Sequence, residues 1–342
     1  MATPIIQLGL GPIGQGIVRH ILARRDYDVV GAVDPAPDKA GRSLAEVVGL
    51  EAGAPGADAA RSVTVRASLD EALAAASVAP VLAIHTTSSF LSQVTPQLVE
   101  AADRGLNVVS TCEELSYPFH HHPDQARAID EAARRAGVSV LGTGVNPGFV
   151  MDLLPVCLTG VAASVLSVHV DRVVDAGTRR GPLKKKVGAG ISLEEFHRRA
   201  ASGTFGHIGL VESVAMVGAA LGWTLTRITS DLRPKVAEEP YESPDVRVAP
   251  GDVLGIDQVA AGVDPTGAER IRFHLQMYVG APDPHDTVRL EGNPPLELTI
   301  PRGTPGDVAT MAAVINAIPQ VIEAAPGLRT VVDLPVPRWR RP

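Results

Sequence analysis

Short apolar runs alternate with amphipathic stretches through the first half of the chain. Ile5-Ile6-Gln7-Leu8 leads through a glycine-rich turn into a helix reaching Arg25. A second apolar run, Val29 to Val33, then ends on Asp34. The same alternation predicts a short strand at Val63-Thr64-Val65, a helix capped at Ser68-Leu69-Asp70-Glu71 and ending near Ser77, and a buried strand at Val81 to Ile84. Ser89 to Gly105 reads as a helix, Asn107 to Ser110 as a strand, Asp124 to Gly137 as a strongly periodic helix, and Ser139 to Gly142 as the next strand. Continuous apolar strands separated by glycine-stopped helices predict a doubly wound parallel sheet, an α/β Rossmann fold. Past residue 150 the rhythm changes. Strand-like runs at Val165–Val174, Thr224–Leu232, Val253–Ala261, Arg270–Val279 and Leu296–Ile300 come with fewer helices, and Asp307 to Ala324 is helical again. The expectation is a second, α+β domain on an open, mainly antiparallel sheet. The division expected is 1–148 for the dinucleotide-binding domain, joined by part of about 305–342, and 149–304 for a substrate and dimerisation domain.

The turn after the first strand is Gly9-Leu10-Gly11-Pro12-Ile13-Gly14, and Asp34 closes the second strand about 20 residues past the last glycine. Gly9 permits the tight turn, Gly11 lets backbone approach a pyrophosphate, and Gly14 lets helix pack on strand. Pro12 and Ile13 open the helix whose N-terminus favours phosphate. Asp34 stands where a carboxylate meets a ribose 2′-OH, favouring NADH, while Lys39 and Arg42 a few residues on offset that for NADPH.

The chain has 342 residues, enough for two domains. A net charge of −7 without a basic run argues against nucleic acid and anionic membrane as partners. Leu153 to Val170 lacks Asp, Glu, Lys and Arg, but Pro155, Gly160 and His169 interrupt it; a buried helix turning near Gly160 into a strand is expected, not a membrane span. Cys112 and Cys157 show no paired spacing. With the first strand starting almost at Met1, no signal peptide is expected, and the cytoplasm is the expected compartment.

In an open parallel sheet, ligands lie beyond the carboxyl ends of the strands. The residues there are His85-Thr86-Thr87-Ser88, whose hydroxyls could border a nicotinamide ring, then Thr111-Cys112-Glu113-Glu114, then Gly142 to Gly148. Either Glu113 or Glu114, facing the cleft, would serve as an acid/base group or hold a cation. His120-His121-His122 cannot converge on one ion from consecutive helical positions, so no metal site is expected. Arg179-Arg180 and Lys184-Lys185-Lys186 form a basic cluster that could grip an anion or simply be solvated.

The runs TCEELSYP, GTGVNPGFVMD, DRVVDAGTRR, KKKVGAGIS, GHIGLVES and GDVATMAAVINAIPQVIEAAPGL fall between Thr111 and Leu328, within a resemblance that extends over nearly the whole chain. Together they resemble the dihydrodipicolinate-reductase-like dehydrogenases, and within them the 2,4-diaminopentanoate dehydrogenases and native amine dehydrogenases. The resemblance implies a homodimer and NAD(P)H-dependent reductive amination of a ketone or aldehyde with ammonium, and the reverse deamination of amines. It places the catalytic carboxylate on Glu114 and pocket residues on Asn146, which also borders the cofactor, and on Met151, Arg172, His274 and Thr310. Val145 and Phe149 would add apolar lining beside Met151. Sugar dehydrogenases of similar build carry Glu-Lys-Pro where this chain has Glu113-Glu114-Leu115, so a lysine proton donor is missing. An imine or carbonyl reductase of the same fold, or a nucleotide sensor without turnover, are the alternatives.

Overall fold

The computed structural model describes residues 2–178 and 181–341. It forms two compact units, Met1–Phe149 with Gly306–Pro342, and Val150–Pro305. The first runs β1 (Thr3–Leu8), α1 (Pro12–Leu22), β2 (Tyr27–Val33), α2 (Leu44–Val47), α3 (Ala57–Ser62), β3 (Val65–Arg66), α4 (Leu69–Ala75), β4 (Leu82–His85), α5 (Leu91–Asp103), β5 (Asn107–Ser110), α6 (Pro123–Ala136) and β6 (Ser139–Gly142). The second holds α7 (Leu153–Thr159), β7 (Ser164–Asp175), α8 (Gly181–Lys186), α9 (Leu193–Ala200), α10 (Leu210–Ala220), β8 (Arg227–Val236), β9 (Tyr241–Ser243), β10 (Val246–Val248), β11 (Val253–Val263), β12 (Glu269–Tyr278), β13 (His285–Asn293) and β14 (Leu296–Pro301). The chain then returns to the first unit with α11 (Gly306–Glu323) and β15 (Gly327–Arg329).

The first sheet has the order β15-β6-β5-β4-β1-β2-β3, and every pairing in it is parallel. Helices from both crossover directions bury its faces, which is why strands such as β4 and β6 are buried throughout their length. Leu91, Val94, Leu98 and Ala101 of α5 and Ile129 and Ala133 of α6 pack with Ala83, Val108 and Val140 of the sheet. Pro123 starts α6, where a missing N–H costs nothing, and Gly137 stops it in the left-handed region at φ 72°. The strand order reverses between β1 and β4, both neighbours of each other, so a crevice opens at their carboxyl ends.

The second sheet has the order β14-β13-β7-β12-β11-β8; β7 and β12 are parallel and the other pairs antiparallel. Ile271, Phe273 and Leu275 of β12 are fully buried on the side where α10 packs. Their alternating neighbours His274 and Gln276 lie on the opposite, polar face. The apolar run from Leu153 is α7, with Pro155 in its first turn and Gly160 as its C-cap, followed by β7; it is only partly buried, with Leu153 and Pro155 inside and Cys157 exposed. No helix among the described residues is long and apolar enough to cross a membrane. Two departures from expectation bear on the second sheet. β13 was not anticipated, because Asp286, Arg289 and Glu291 break its apolar pattern; only Val288 and Leu290 point inward beside Asp286 and Thr287. β8 begins later than Thr224 and runs through Pro234, which an edge strand tolerates.

Candidate active site

At the carboxyl end of β1 the backbone turns at Gly9, whose φ of 85° a side chain would resist and whose N–H donates to Val33 O at 2.8 Å. A Cβ on Gly14 would collide with the carbonyl oxygen of Gly9 and with Thr86 Oγ1. A Cβ on Gly11 would meet nothing within 4 Å, so the space before α1 is open to a ligand. Pro12 has no N–H, which leaves Ile13 and Gly14 as first-turn donors without intrahelical partners. Gln7 Nε2 donates to Gly9 O at 2.9 Å and to Thr86 Oγ1 at 3.0 Å, and Thr86 Oγ1 donates to Gly9 O at 2.8 Å. Thr86 therefore braces the glycine turn from below.

Asp34, at the end of β2, is buried and triply held. Oδ2 accepts from Leu10 N at 2.9 Å and Lys39 Nζ at 2.8 Å, and Oδ1 accepts from Ala36 N at 3.0 Å. Burial alone would push its carboxyl up; the Lys39 ammonium and the two N–H groups outweigh burial and keep it below the usual carboxylate range. Gly11, Asp34, Lys39, Ser68, Thr87 and Gln97 are among the residues that line a cavity of about 540 Å³ in the first unit. These residues fit a dinucleotide: an open cradle for the pyrophosphate at α1, and a carboxylate with a paired ammonium at the ribose end. Ser88 is spent elsewhere, donating to Gln93 Oε1 at 2.6 Å.

His85, named from sequence among the strand-end residues but given no role of its own, is fully buried on β4. Its Nδ1 lies 2.9 Å from Ser110 Oγ, and its Nε2 lies 2.9 Å from both Gln97 Oε1 and Thr87 Oγ1. Burial, against the Gln97 bond, lowers its pKa to about 4, so it is a neutral strut that fixes Thr87 at the cavity wall.

The turn after β5 carries the paired acids. Cys112, a buried thiol that burial holds well above its ordinary pKa, donates from Sγ to Ser89 O at 3.2 Å. Glu114 N donates to the same carbonyl at 3.3 Å. Gly142 at the end of β6 lets this turn approach, since a Cβ there would strike the backbone of Leu115 and Ser116. The Glu114 side chain then reaches the start of α5, where the N-cap residue Phe90 offers no capping group. Oε2 of Glu114 supplies the cap, accepting from Leu91 N at 2.6 Å, and it also lies 3.3 Å from Nε2 of His122. Oε1 accepts no hydrogen bond among the described residues. The side chain is 15% exposed. A carboxylate pinned through one oxygen, with the other presented, is equipped to take and return a proton.

Other expected positions fall in two groups. In the first unit, Val145 N donates to Thr310 Oγ1 at 3.3 Å, and Thr310 also lies against Gly144. Asn146 and Phe149 beside them are half-buried. In the second unit, Met151 has no exposed surface. Arg172, 3% exposed, is paired with Asp286 at 2.7 Å and donates to Thr304 O at 2.9 Å, a charge-balanced interior site. His274 sits between Asp257, 2.8 Å from Nε2, and Asp171, 3.6 Å from Nδ1. Of the basic cluster, Lys184 pairs with Asp245 at 3.2 Å, Lys185 and Lys186 are exposed, and Arg179 and Arg180 lie outside the described residues. His207, in the GHIGLVES run, was overlooked. Its Nε2 is shielded from solvent without a partner among the described residues; burial first, then the charges of Lys186 and Arg172, lower its pKa to about 3.

The parallel sheet, glycine turn and strand-end acids define an NAD(P)-dependent dehydrogenase. Residues 149–340 match the family profile of the 2,4-diaminopentanoate dehydrogenase C-terminal domain. A 2,4-diaminopentanoate dehydrogenase of Acetoanaerobium sticklandii is 34% identical, over 98% of this chain and 94% of its own. An amine dehydrogenase of Streptomyces virginiae is 24% identical, over 96% of this chain and 95% of its own. The solved amine dehydrogenase of Mycobacterium smegmatis superposes with a TM-score of 0.85 at 25% identity, covering 99% of this chain and 98% of that one. The chain belongs to the 2,4-diaminopentanoate dehydrogenase family.

Proposed function

We propose that this protein catalyses the NAD(P)H-dependent reductive amination of a ketone or aldehyde with ammonium, and the reverse oxidative deamination, with Glu114 as the acid/base. One observation carries the reading: Glu114 is anchored through Oε2 at the head of α5 while Oε1 stays available. The relatives named for amines support the substrate class. The bound nicotinamide supplies or accepts the hydride. Gly9, Gly11, Ile13 and Gly14 would hold its pyrophosphate, Asp34 and Lys39 its ribose end, and Thr86 and Thr87 the wall beside it. In deamination Glu114 takes a proton from the substrate ammonium; in amination it orients ammonium and stabilises the iminium cation electrostatically. A lysine at 114 would repel both cations. We further propose a homodimer, on the family resemblance alone, and a cytoplasmic location, which the two free cysteines Cys112 and Cys157 support.

The test is NADPH oxidation with cyclohexanone, with and without ammonium, extended to a panel of ketones and aldehydes. Ammonium should be required. Glu114→Gln should keep nucleotide binding and lose amination by at least about a hundredfold. Reduction without ammonium would make the protein a carbonyl reductase, and no oxidation across the panel a nucleotide sensor. Activity lost in Glu113→Gln but kept in Glu114→Gln would move the role one residue back.

A further inference from the structure

The three consecutive histidines find a use that metal-ligand spacing hid. Only His122 turns inward. Its backbone is fixed on both sides: its N–H donates to Pro118 O at 2.8 Å, and its carbonyl accepts from Ala126 N at 2.9 Å at the start of α6. Its imidazole, 23% exposed, meets Glu114 Oε2 at 3.3 Å. His121 follows with its ring centroid 6.3 Å away and edge-on, and His120 stacks a further 4.7 Å along. Both outer histidines are exposed. The imidazoles therefore step from the half-buried acid to bulk water. The other titratable groups of this corner are Glu113, the neutral Cys112 thiol and the Tyr117 phenol, which burial holds protonated, on the turn and, in the first turn of α6, Asp124, which pairs with Arg127; α5 faces the acid with the Leu91 N–H.

Deamination makes a proton that has to leave. An alkylammonium, the oxidised nicotinamide and water become a ketone, ammonium, the reduced nicotinamide and one free proton. The proton first taken by Glu114 must reach solvent before the next turnover, and the Leu91 N–H is a donor that cannot accept it. We propose that His122 is the proton relay of this site. The protonated carboxyl turns over so that the oxygen carrying the proton faces the ring while the other oxygen takes over the Leu91 N–H; His122 then accepts that proton at Nε2, releases one from Nδ1 to water, and runs in the opposite sense during amination. An imidazole suits this because its two nitrogens exchange donor and acceptor roles as the ring gains and loses a proton. The inference rests on the reading of Glu114 as the acid/base.

Three variants separate the possibilities. His122→Gln keeps an N–H that can reach Glu114 Oε2 but cannot shuttle a proton; His122→Ala leaves room for added imidazole; Glu114→Gln tests the acid itself. In His122→Gln, kcat for deamination should fall about tenfold or more while NADPH binding and the KM for amine stay within about twofold. The limb of the wild-type kcat–pH profile that rises as an imidazole loses its proton should disappear. Imidazole should restore much of the activity of His122→Ala in proportion to its concentration. In the nucleotide-free protein, Glu114→Gln should move the ring 15N resonances of His122 and leave those of His20 on α1 in place. A wild-type kcat and pH profile in His122→Gln, no imidazole rescue, or unmoved His122 resonances would each overturn the relay. Glu114→Gln retaining activity would instead bring down the reading of the acid. Glu114→Gln inactive beside a wild-type-like His122→Gln would leave the acid standing and remove the relay alone.

Discussion

The clamp on His274 makes the second unit's stability depend on pH in a calculable way. The ring lies on β12, held by Asp171 on β7 and Asp257 on β11. Asp257 is itself fixed by Gln276 at 2.8 Å, and Asp171 by Arg289 at 2.6 Å. The neighbouring carboxylates of Asp171, then of Asp257, raise the His274 pKa from 6.5 to about 9 against the opposing effect of burial. At about 1.4 kcal/mol per pKa unit the shift has a ceiling of roughly 3 kcal/mol. The side chain is 31% exposed, so solvent screening reduces this to about 1–2 kcal/mol. The folded pKa is the higher one. The stabilisation is therefore complete below pH 6.5, declines as the unfolded state loses its proton first, and is gone above about pH 9. Both aspartates are held below the usual range, so their own contribution is lost only in acid and does not enter this window. Urea unfolding followed by Trp223 in a Trp339→Phe background reads the second unit. His274→Gln should cost about 1–2 kcal/mol at pH 6 and almost nothing at pH 9.5. An equal cost at both pH values, or a His274 ring titrating near 6.5 by NMR, would refute the clamp.

Two further outcomes concern the nucleotide and the pocket. Lys39 neutralises Asp34 in place, so Asp34→Ala should shift the ratio of NADPH to NADH affinity toward NADPH and Lys39→Ala should shift it toward NADH, by about tenfold each; titration by nucleotide fluorescence measures both. Met151 is fully buried, so Met151→Ala should lower stability by about 2–5 kcal/mol; if it borders the carbonyl substituent, KM for bulkier ketones should also fall, whereas an unchanged substrate ranking would make it core alone.

The first sheet was legible because a parallel strand buried on both faces is built on a short continuous apolar run, and β1, β2, β4, β5 and β6 each contain one, with polar residues such as Asp28, His85, Asn107 and Ser139 mostly at or near their ends. β13 was not, because an open sheet needs only one apolar face, and that face carries Asp286 in the buried pair with Arg172. The short helices α2 and α3 were missed for a similar reason: Leu44–Val47 and Ala57–Ser62 are too brief to display helical periodicity. Glycine turn and Asp34 were readable from spacing alone. The pairing of Asp34 with Lys39 spans a loop of four residues; the sequence placed Lys39 only as a charge offsetting the acid toward a 2′-phosphate, and their direct contact needed the structure. His85 was hidden by its setting, since a histidine ending an apolar strand looks the same whether it braces a wall or merely fills space. His122 was hidden by its neighbours, since three histidines in a row invite a question about metals and not about an acid eight positions earlier.

Glu114 joins the folding of the first unit to its chemistry. α5 begins at Phe90, whose side chain cannot cap, so the helix takes its cap from the acid after β5, an interaction worth about 0.5–2 kcal/mol at such positions. A lysine at 114 would point one donor at another, the ammonium against the Leu91 N–H, and would leave the helix uncapped. The substitution that turns this turn toward the Glu-Lys-Pro pattern is therefore disfavoured by the fold and, on the proposed mechanism, by the ammonium substrate as well. Glu114→Ala would mix the loss of a cap with the loss of a proton acceptor. Glu114→Gln keeps a carbonyl oxygen for Leu91 and removes only the charge and the ability to hold a proton. Activity lost in that variant with its melting temperature within a few degrees of wild type assigns the loss to chemistry, and a large fall in melting temperature would show that the cap needs the full charge of the carboxylate.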